Sequence, residues 1–267
     1  MKKITVQLFL LLCTAVLPVS LSGQNTQKLE VPLSEPGKPG HLKVGVLYGS
    51  ITVNTHSGNE VIIETKSKQK QASVNKNGLR KIGGGGGGYS VEEYNNQVTV
   101  KSGGTNKKMD FFITVPKNFS LKLNAVNNGN IFVNGVNGDM EISNTNGAIT
   151  LENVSGSVIA DALNRDVVVT FSKVDRNAPM AFTSLNGDLD ITFPADFAAN
   201  IKARTENGDI FTDFEMDQRT SAQVDQKRDS RGVYKVKVNK WVLGEINGGG
   251  PEILFKTLNG NILIKSK

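Results

Sequence analysis

A nine-residue spacing separates four glycines, Gly129, Gly138, Gly147 and Gly156, and each of them opens a short phrase of similar composition. The phrase returns, at other spacings, as Asn186-Gly187, Asn207-Gly208 and Asn259-Gly260, while Asn164-Arg165 keeps the nine-residue spacing but has arginine in place of glycine. A repeat of this kind is typical of a scaffold built by stacking similar units. It carries no catalytic group of its own.

The residues after each glycine alternate in polarity. The second residue is always apolar: Ile131, Met140, Ile149, Val158, Val167, Leu189, Ile210 or Ile262. The fourth is mostly apolar, and the third is mixed: Phe132, Glu141, Thr150, Ile159, Val168, Asp190, Phe211 or Leu263. An apolar period of two predicts a half-buried strand. Asn-Gly supplies the positive φ that a sharp corner demands, so each unit is interpreted as one corner and one short strand.

Two all-β folds accommodate such units. In an antiparallel meander with two-residue hairpins, residues flanking each turn would face each other on one side of the sheet. Val136 would then pair with Asp139, and Leu185 with Asp188, which places acids among apolar side chains. In a β-helix-like solenoid, like residues lie over like residues from coil to coil. We therefore predict a single-stranded β-solenoid with about two strand units, ~18–22 residues, per coil.

The N-terminal residues have the order of a secretory signal peptide. Lys2 and Lys3 precede an apolar run over residues 4–19, and small residues follow up to Gly23. The run is shorter than the ~20 residues that span a bilayer, so we expect cleavage and no retained anchor. Cys13 lies inside this run without the small residue that lipidation signals place before it. The predicted location is extracytoplasmic: periplasm, outer cell envelope or secreted.

The sequence is divided into three predicted parts. Residues 1–23 are the predicted signal, residues 24–42 a linker containing Pro32, Pro36 and Pro39, and residues 43–267 the β-solenoid domain. Within the domain, 83–88 is interpreted as a glycine loop and 213–232 as a polar insertion. The glycine loop lacks the Lys-Ser or Lys-Thr of a phosphate-binding loop, since Tyr89 follows it. No transmembrane segment is expected after signal cleavage.

The charge pattern argues against nucleic-acid binding, and the cysteine content argues against disulfides in the mature fold. The formal net charge is +6 and falls to +4 without Lys2 and Lys3. One basic cluster stands out, but Asp225 and Asp229 interrupt it, so we expect a solvated surface and no nucleic-acid partner; its members are Lys227, Arg228, Arg231, Lys235, Lys237 and Lys240. Because the one cysteine lies in the predicted signal, a buried core must hold the mature fold without disulfides.

No catalytic, cofactor-binding or metal-binding residue is predicted. Calcium-binding β-rolls carry several glycines and an acid in every unit, whereas this chain has one glycine per unit and varies the acid. His41 and His56 are interpreted as solvated, because no Gly-x-Ser-x-Gly elbow accompanies them. Glu141 and Asp190 leave a polysaccharide-cleaving solenoid open as the weakest alternative. Trp241 and Tyr234 could stack on sugars, although core packing is favoured.

Several phrases resemble the bacterial putative-adhesin family. They are Val115-Pro116-Lys117-Asn118-Phe119-Ser120-Leu121, Leu185-Asn186-Gly187-Asp188 before Phe193-Pro194, and Ile246-Asn247-Gly248-Gly249-Gly250-Pro251-Glu252-Ile253 with Leu258-Asn259-Gly260-Asn261-Ile262. The resemblance spans roughly residues 43–267. It implies a β-helix-like fold and an extracytoplasmic place. The family offers no catalytic or binding motif to carry over.

The sequence therefore predicts a non-enzymatic secreted or envelope module that acts as an adhesin or structural binding surface for a protein or glycan ligand. The alternative is an envelope sensor or assembly protein that binds a partner by strand addition. Its oligomeric state is not predicted.

Overall fold

A computed structural model describes residues 26–67, 88–103, 108–175, 177–228 and 234–267. Its regular structure consists of strands β1 Thr26–Pro32, β2 Gly40–Tyr48, β3 Ile51–His56, β4 Glu60–Ser67, β5 Gly88–Tyr94, β6 Gln97–Gly103, β7 Met109–Pro116, β8 Phe119–Asn127, β9 Ile131–Asn134, β10 Met140–Asn144, β11 Ile149–Gly156, β12 Val158–Ala162, β13 Val167–Val174, β14 Met180–Ser184, β15 Leu189–Phe193, β16 Ala199–Arg204, β17 Ile210–Thr212, β18 Met216–Arg228, β19 Tyr234–Ile246, β20 Glu252–Lys256 and β21 Ile262–Ser266. The all-β prediction is confirmed.

The strands form two sheets. Sheet A has ten strands in the order β1-β4-β7-β3-β9-β11-β13-β15-β21-β17, and sheet B has eleven in the order β18-β19-β16-β20-β14-β12-β10-β8-β2-β6-β5. From β7 to β17 the chain alternates between the sheets, so two strands make one coil. Strand β10 pairs in parallel with β8 and β12, which excludes the hairpin meander and confirms the solenoid.

The stacked columns join alternate units rather than successive ones. In sheet A, Ile131, Ile149, Val167 and Leu189 are in register and fully buried, whereas Met140 belongs to the column of sheet B. Between the sheets the core is aromatic near the C-terminal half; ring centroids lie 4.0–6.4 Å apart among Phe171, Phe182, Phe193, Phe197 and Phe255. Because the core lies between the sheets, the third residue of each unit faces outward.

Close approach between coils explains the recurring glycine better than positive φ does. Gly147 does not have a positive φ, but a Cβ placed there would lie 1.9 Å from the carbonyl oxygen of Gly129 on the neighbouring coil. A Cβ on Gly129 would likewise lie 2.0 Å from the carbonyl oxygen of Gly49. The expectation that each glycine supplies a left-handed corner is therefore wrong at these positions. Their role is to let the main chains of adjacent coils touch.

An asparagine ladder runs along the corners that lead from sheet B to sheet A. In it, each Nδ2 donates to the Oδ1 of the preceding coil, at 2.8, 2.8, 3.0, 2.7 and 2.7 Å, through Asn127, Asn146, Asn164, Asn186, Asn259 and Asn207. Two residues after a ladder asparagine, Asp166 and Asp188 accept main-chain N–H bonds from the next coil. These acids therefore join the main chains of adjacent coils.

Both ends of the stack depart from chain order. Strands β2 and β3 lie between β8–β9 on one side and β6–β7 on the other. At the opposite end, β20 and β21 lie between β14–β15 and β16–β17. The last coil of the chain is thus the last but one of the stack. We call this arrangement interleaving.

Several predicted boundaries require correction. Of the predicted linker, residues 24–42, the structure describes 26–42, and this part is not a linker, because β1 pairs with β4 over seven positions and β2 begins at Gly40. The insertion at 213–232 contains β18, which forms a long antiparallel hairpin with β19. Of the glycine loop at 83–88, only Gly88 is described, as the first residue of β5, and the predicted signal at 1–23 lies outside the described residues.

Candidate binding groove

An open groove of about 630 Å³ runs along the corners that lead from sheet A to sheet B. Five segments of chain line it: Pro39; Asn118, Phe119 and Ser120; Asn137, Gly138 and Asp139; Ser155 and Gly156; and Lys173, Val174 and Asp175. The volume is in the range of small-ligand sites. We call this feature the corner groove.

Glycines form part of the floor of the groove, and two segments distant in sequence form its sides. Gly138 and Gly156 contribute no side chain to the floor, and a Cβ on either would lie 2.4 Å from a carbonyl oxygen of the adjacent coil. One wall includes Pro39 of the β1–β2 loop. The other is formed by Lys173, Val174 and Asp175 at the end of β13. The groove therefore lies between the β1–β2 loop and the end of β13.

The polar groups of the floor are partly paired with one another. The Nδ2 of Asn137 donates to the Oδ1 of Asn118 at 2.9 Å, and the Ser157 hydroxyl donates to the Oδ1 of Asp139 at 2.5 Å. Within the described ranges, the Nδ2 of Asn118 and the Oδ1 of Asn137 have no hydrogen-bond partner. The exposed Lys173 adds a cation at the wall. Such donors and acceptors can bind a polar, extended ligand without any covalent step.

A hydrogen-bonded clamp fixes the wall that contains Pro39. The Glu93 carboxylate accepts bonds from the Ser34 N–H, the Ser34 hydroxyl and the Asn96 N–H, at 2.8–3.0 Å. The buried Asn96 carboxamide in turn bonds the N–H and the carbonyl oxygen of Glu35. Partial burial opposes ionisation, but the three donors outweigh it and hold the pKa of Glu93 below its usual value.

Replacing Glu93 by glutamine is expected to loosen this wall. Because the folded-state pKa is depressed, the carboxylate stabilises the fold above its unfolded-state pKa of about 4.3, and this contribution is lost as pH falls through the folded-state value. At neutral pH, amide hydrogen exchange at Ser34 and Asn96 should rise roughly three- to tenfold in Glu93→Gln. Glu92→Gln is the control, because the exposed Glu92 carboxylate pairs with Lys101 and takes no part in the clamp. Equal exchange in both variants would contradict the clamp.

The two acids considered for glycoside cleavage lie far from each other in the fold. Glu141 is on the outer face of β10 in sheet B and pairs with Lys122 at 2.7 Å. Asp190 is on the outer face of β15 in sheet A and pairs with Lys265 at 2.7 Å. Since the core separates these faces, the two carboxylates cannot flank one glycosidic bond.

The histidines likewise belong to no catalytic cluster that the described residues show. His41 lies half-buried on β2, where burial, with Lys122 nearby, lowers its pKa. A ring nitrogen of His56, also half-buried, lies 2.9 Å from the Glu60 carbonyl oxygen. Both are less solvated than the sequence predicts. Among the described side chains there is no group of three or more His, Cys, Asp and Glu that could hold a metal ion.

Trp241 lies on the outer face of sheet B rather than in the core. Its ring centroid is 5.1 Å from the Lys202 Nζ and 5.7 Å from the Arg204 guanidinium carbon. The core-packing interpretation of Trp241 is wrong, because the neighbouring residues Val242 and Gly244 face inward instead. The Tyr234 side chain is outside the described part of the structure.

Sequence reasoning missed the corner groove altogether. One signal for it was present: the ladder asparagines are 18 or 19 residues apart up to Asn164 but 22 apart between Asn164 and Asn186. The added residues follow β13, and the end of this strand lines one side of the groove. Pro39 on the other side lies within residues 24–42, which the proline content predicts to be a linker.

Comparison with known proteins places the chain in a family. A family model described as Toastrack DUF4097 matches residues 46–242, well over half of the chain. The chain belongs to this family. The sequence-based resemblance to bacterial putative adhesins is confirmed at the level of this family of unknown function. No curated protein matches the Toastrack chain.

Two solved structures resemble this Toastrack domain. The crystal structure of a putative cell adhesion protein from Clostridium sporogenes ATCC 15579 has a TM-score of 0.50 and 11% identity, covering 91% of this chain and 99% of its own. That of a putative adhesin from Bacteroides fragilis NCTC 9343 has a TM-score of 0.35 and 12% identity, covering 92% and 98%. The first likeness supports the fold alone. Within the described ranges there is no helix with the length and apolar character to cross a bilayer.

Proposed function

We propose that this Toastrack domain is a non-enzymatic, extracytoplasmic binding module that holds a surface ligand, protein or glycan, in the corner groove. The observation that carries the proposal is the groove itself, an open concavity on the stack, where the Asn118 Nδ2 and the Asn137 Oδ1 have no hydrogen-bond partner among the described residues. The signal-like residues 1–23 support the extracytoplasmic location. The separation of Glu141 from Asp190 supports a role in binding rather than cleavage.

A second candidate is assembly by strand addition. The outer edges of β1, β5, β17 and β18 end the two sheets, and no further strand of the described residues pairs with them. Unpaired edge groups are templates for a partner's strand. This reading favours an envelope assembly partner over an adhesive surface.

A retention assay distinguishes the two. The purified chain from residue 24 onward is passed over matrix-protein and glycan panels. The test variant is Asn118→Tyr, whose side chain fills the groove at an exposed corner. The control variant is Asn124→Tyr, at an exposed position on the outer face of β8. Groove binding predicts that Asn118→Tyr weakens retention about tenfold or more, a loss of roughly 1.4 kcal/mol, whereas Asn124→Tyr leaves it unchanged. Retention on no surface, together with stoichiometric capture of one envelope protein, would favour strand addition.

A further inference from the structure

Asparagine followed by glycine can react with its own main chain. The glycine nitrogen attacks the asparagine Cγ, the new N–Cγ bond closes a succinimide ring, the Cγ–Nδ2 bond breaks, and ammonia leaves with the proton of the glycine N–H. Water then opens the ring at either carbonyl and yields aspartate or isoaspartate. The reaction needs a carboxamide that can rotate and a glycine N–H that can lose its proton. Eight such pairs occur among the described residues; their asparagines are Asn128, Asn134, Asn137, Asn146, Asn186, Asn207, Asn247 and Asn259.

Seven of these carboxamides are held by hydrogen bonds. Asn186 and Asn259 are restrained in the same three ways. The Asn186 Nδ2 donates to Asn164, its Oδ1 accepts from Asn259, and the Gly187 N–H donates to the Asn259 carbonyl oxygen at 2.9 Å. The Asn259 Oδ1 in turn accepts from Asn207, and the Gly260 N–H donates to the Asn207 carbonyl oxygen at 3.0 Å. Each of the others has at least one carboxamide bond; they are Asn134, Asn137, Asn146, Asn207, Asn247 and Asn259. The repeat that supplies the reactive dipeptide thus also restrains it.

Asn128 is the exception. It follows the first ladder member, Asn127, and its φ of 58° turns it out of the ladder, so that its side chain is exposed. In the part of the chain that the structure describes, neither its carboxamide nor the Gly129 N–H makes a hydrogen bond. Water, the second reactant, reaches this corner freely. We propose that Asn128-Gly129 is a site of spontaneous intramolecular deamidation, and that hydrogen bonding of the carboxamide suppresses the same reaction at the other seven pairs. The ladder provides this bonding at Asn146, Asn186, Asn207 and Asn259.

Deamidation would change the charge and the main-chain length at this one corner. Either product replaces a neutral carboxamide by a carboxylate at the corner between β8 and β9. Isoaspartate also adds one carbon to the main chain there, next to Gly129, whose neighbouring coil already lies in contact with it. The first structural effect is therefore expected at the contact of Gly129 with Gly49.

The test is peptide mapping of the folded chain after incubation at mildly alkaline pH, with loss of ammonia and gain of water read from the mass of each peptide. Asn128 should convert about tenfold or more faster than any of the seven restrained asparagines, because each of those must first break hydrogen bonds. In denaturant the eight rates should converge. Conversion of Asn186 or Asn259 as fast as Asn128 in the folded chain would overturn the proposal. Asn77-Gly78 lies outside the described residues and is mapped separately.

A ladder variant tests the cause of protection. Asn127→Ala removes the acceptor of the Asn146 Nδ2, and the Gly147 N–H has no main-chain acceptor among the described residues. Conversion at Asn146 should rise several-fold, while Asn259 stays slow. Asn124→Ala, which removes a bond from β8 to Ser143 outside the ladder, should leave Asn146 unchanged. The Asn164 Nδ2 still donates to the Asn146 Oδ1 in this variant. An unaltered rate at Asn146 would therefore contradict protection by its bond to Asn127.

Discussion

Replacing Gly147 by alanine should lower the free energy of unfolding by about 3 kcal/mol or more, at the upper end of the cost of overpacking. The new methyl group would lie 1.9 Å from the carbonyl oxygen of Gly129. A main-chain carbonyl cannot rotate aside as a flexible side chain can, so the two coils must separate and weaken the pairing of β9 with β11. Denaturant unfolding measures the loss.

Gly45→Ala is the matched control for this substitution. Gly45 lies exposed on β2, has no positive φ, and a Cβ there would have no neighbour within 4 Å. Its replacement should leave stability unchanged or raise it by up to about 1 kcal/mol, because alanine restricts the unfolded chain. Equal destabilisation by both substitutions would show that coil contact does not determine where glycine occurs.

Truncating Phe255 to alanine should cost about 3–5 kcal/mol. Phe255 is fully buried on β20 and its ring lies 5.3 Å from Phe182 and 6.4 Å from Phe193. Because β20 is interleaved between β14 and β16, the cavity would weaken the attachment of both neighbours. Denaturant unfolding gives the size of the loss, and hydrogen exchange should show increased opening of β16.

Phe211→Ala provides the same change in side-chain volume at the edge of sheet A. Phe211 is 53% exposed on β17, so its truncation should alter stability by less than about 1 kcal/mol. A comparable loss in the two variants would mean that the aromatic core does not anchor the interleaved coil.

The local structure was predictable because it depends on neighbours in sequence. Alternation after each corner determined which residues face inward, and Ile149 and Val167 lie in the buried column as their pattern predicts. The physical reason for the glycines was not predictable, because Gly147 is required by a contact with a residue on another coil. Likewise, no local signal shows that β20 is stacked next to β14 rather than beyond β16, because alternation of apolar residues is common to all these strands.

The candidate site is formed by residues that lie far apart in the sequence. The clamp between Glu93 and Ser34 joins residues 59 apart in sequence, and neither has a motif that marks it. Pro39 was interpreted by composition, whereas its position depends on this clamp. The separation of Glu141 from Asp190 could have been inferred once two strands per coil were assigned, because their units differ by an odd number of strands.

Interleaving limits how this protein can fold during synthesis and where its repeat can be lengthened. During synthesis the ribosome releases β16 and β17 before the coil that will separate them from β14 and β15 exists, so assembly at that end must await β20 and β21. Duplication of units within the gene is limited in the same way. Extra units can lengthen the stack between β10 and β13, where chain order and stacking order coincide, but units inserted directly after β21 would emerge from within the stack rather than from its end.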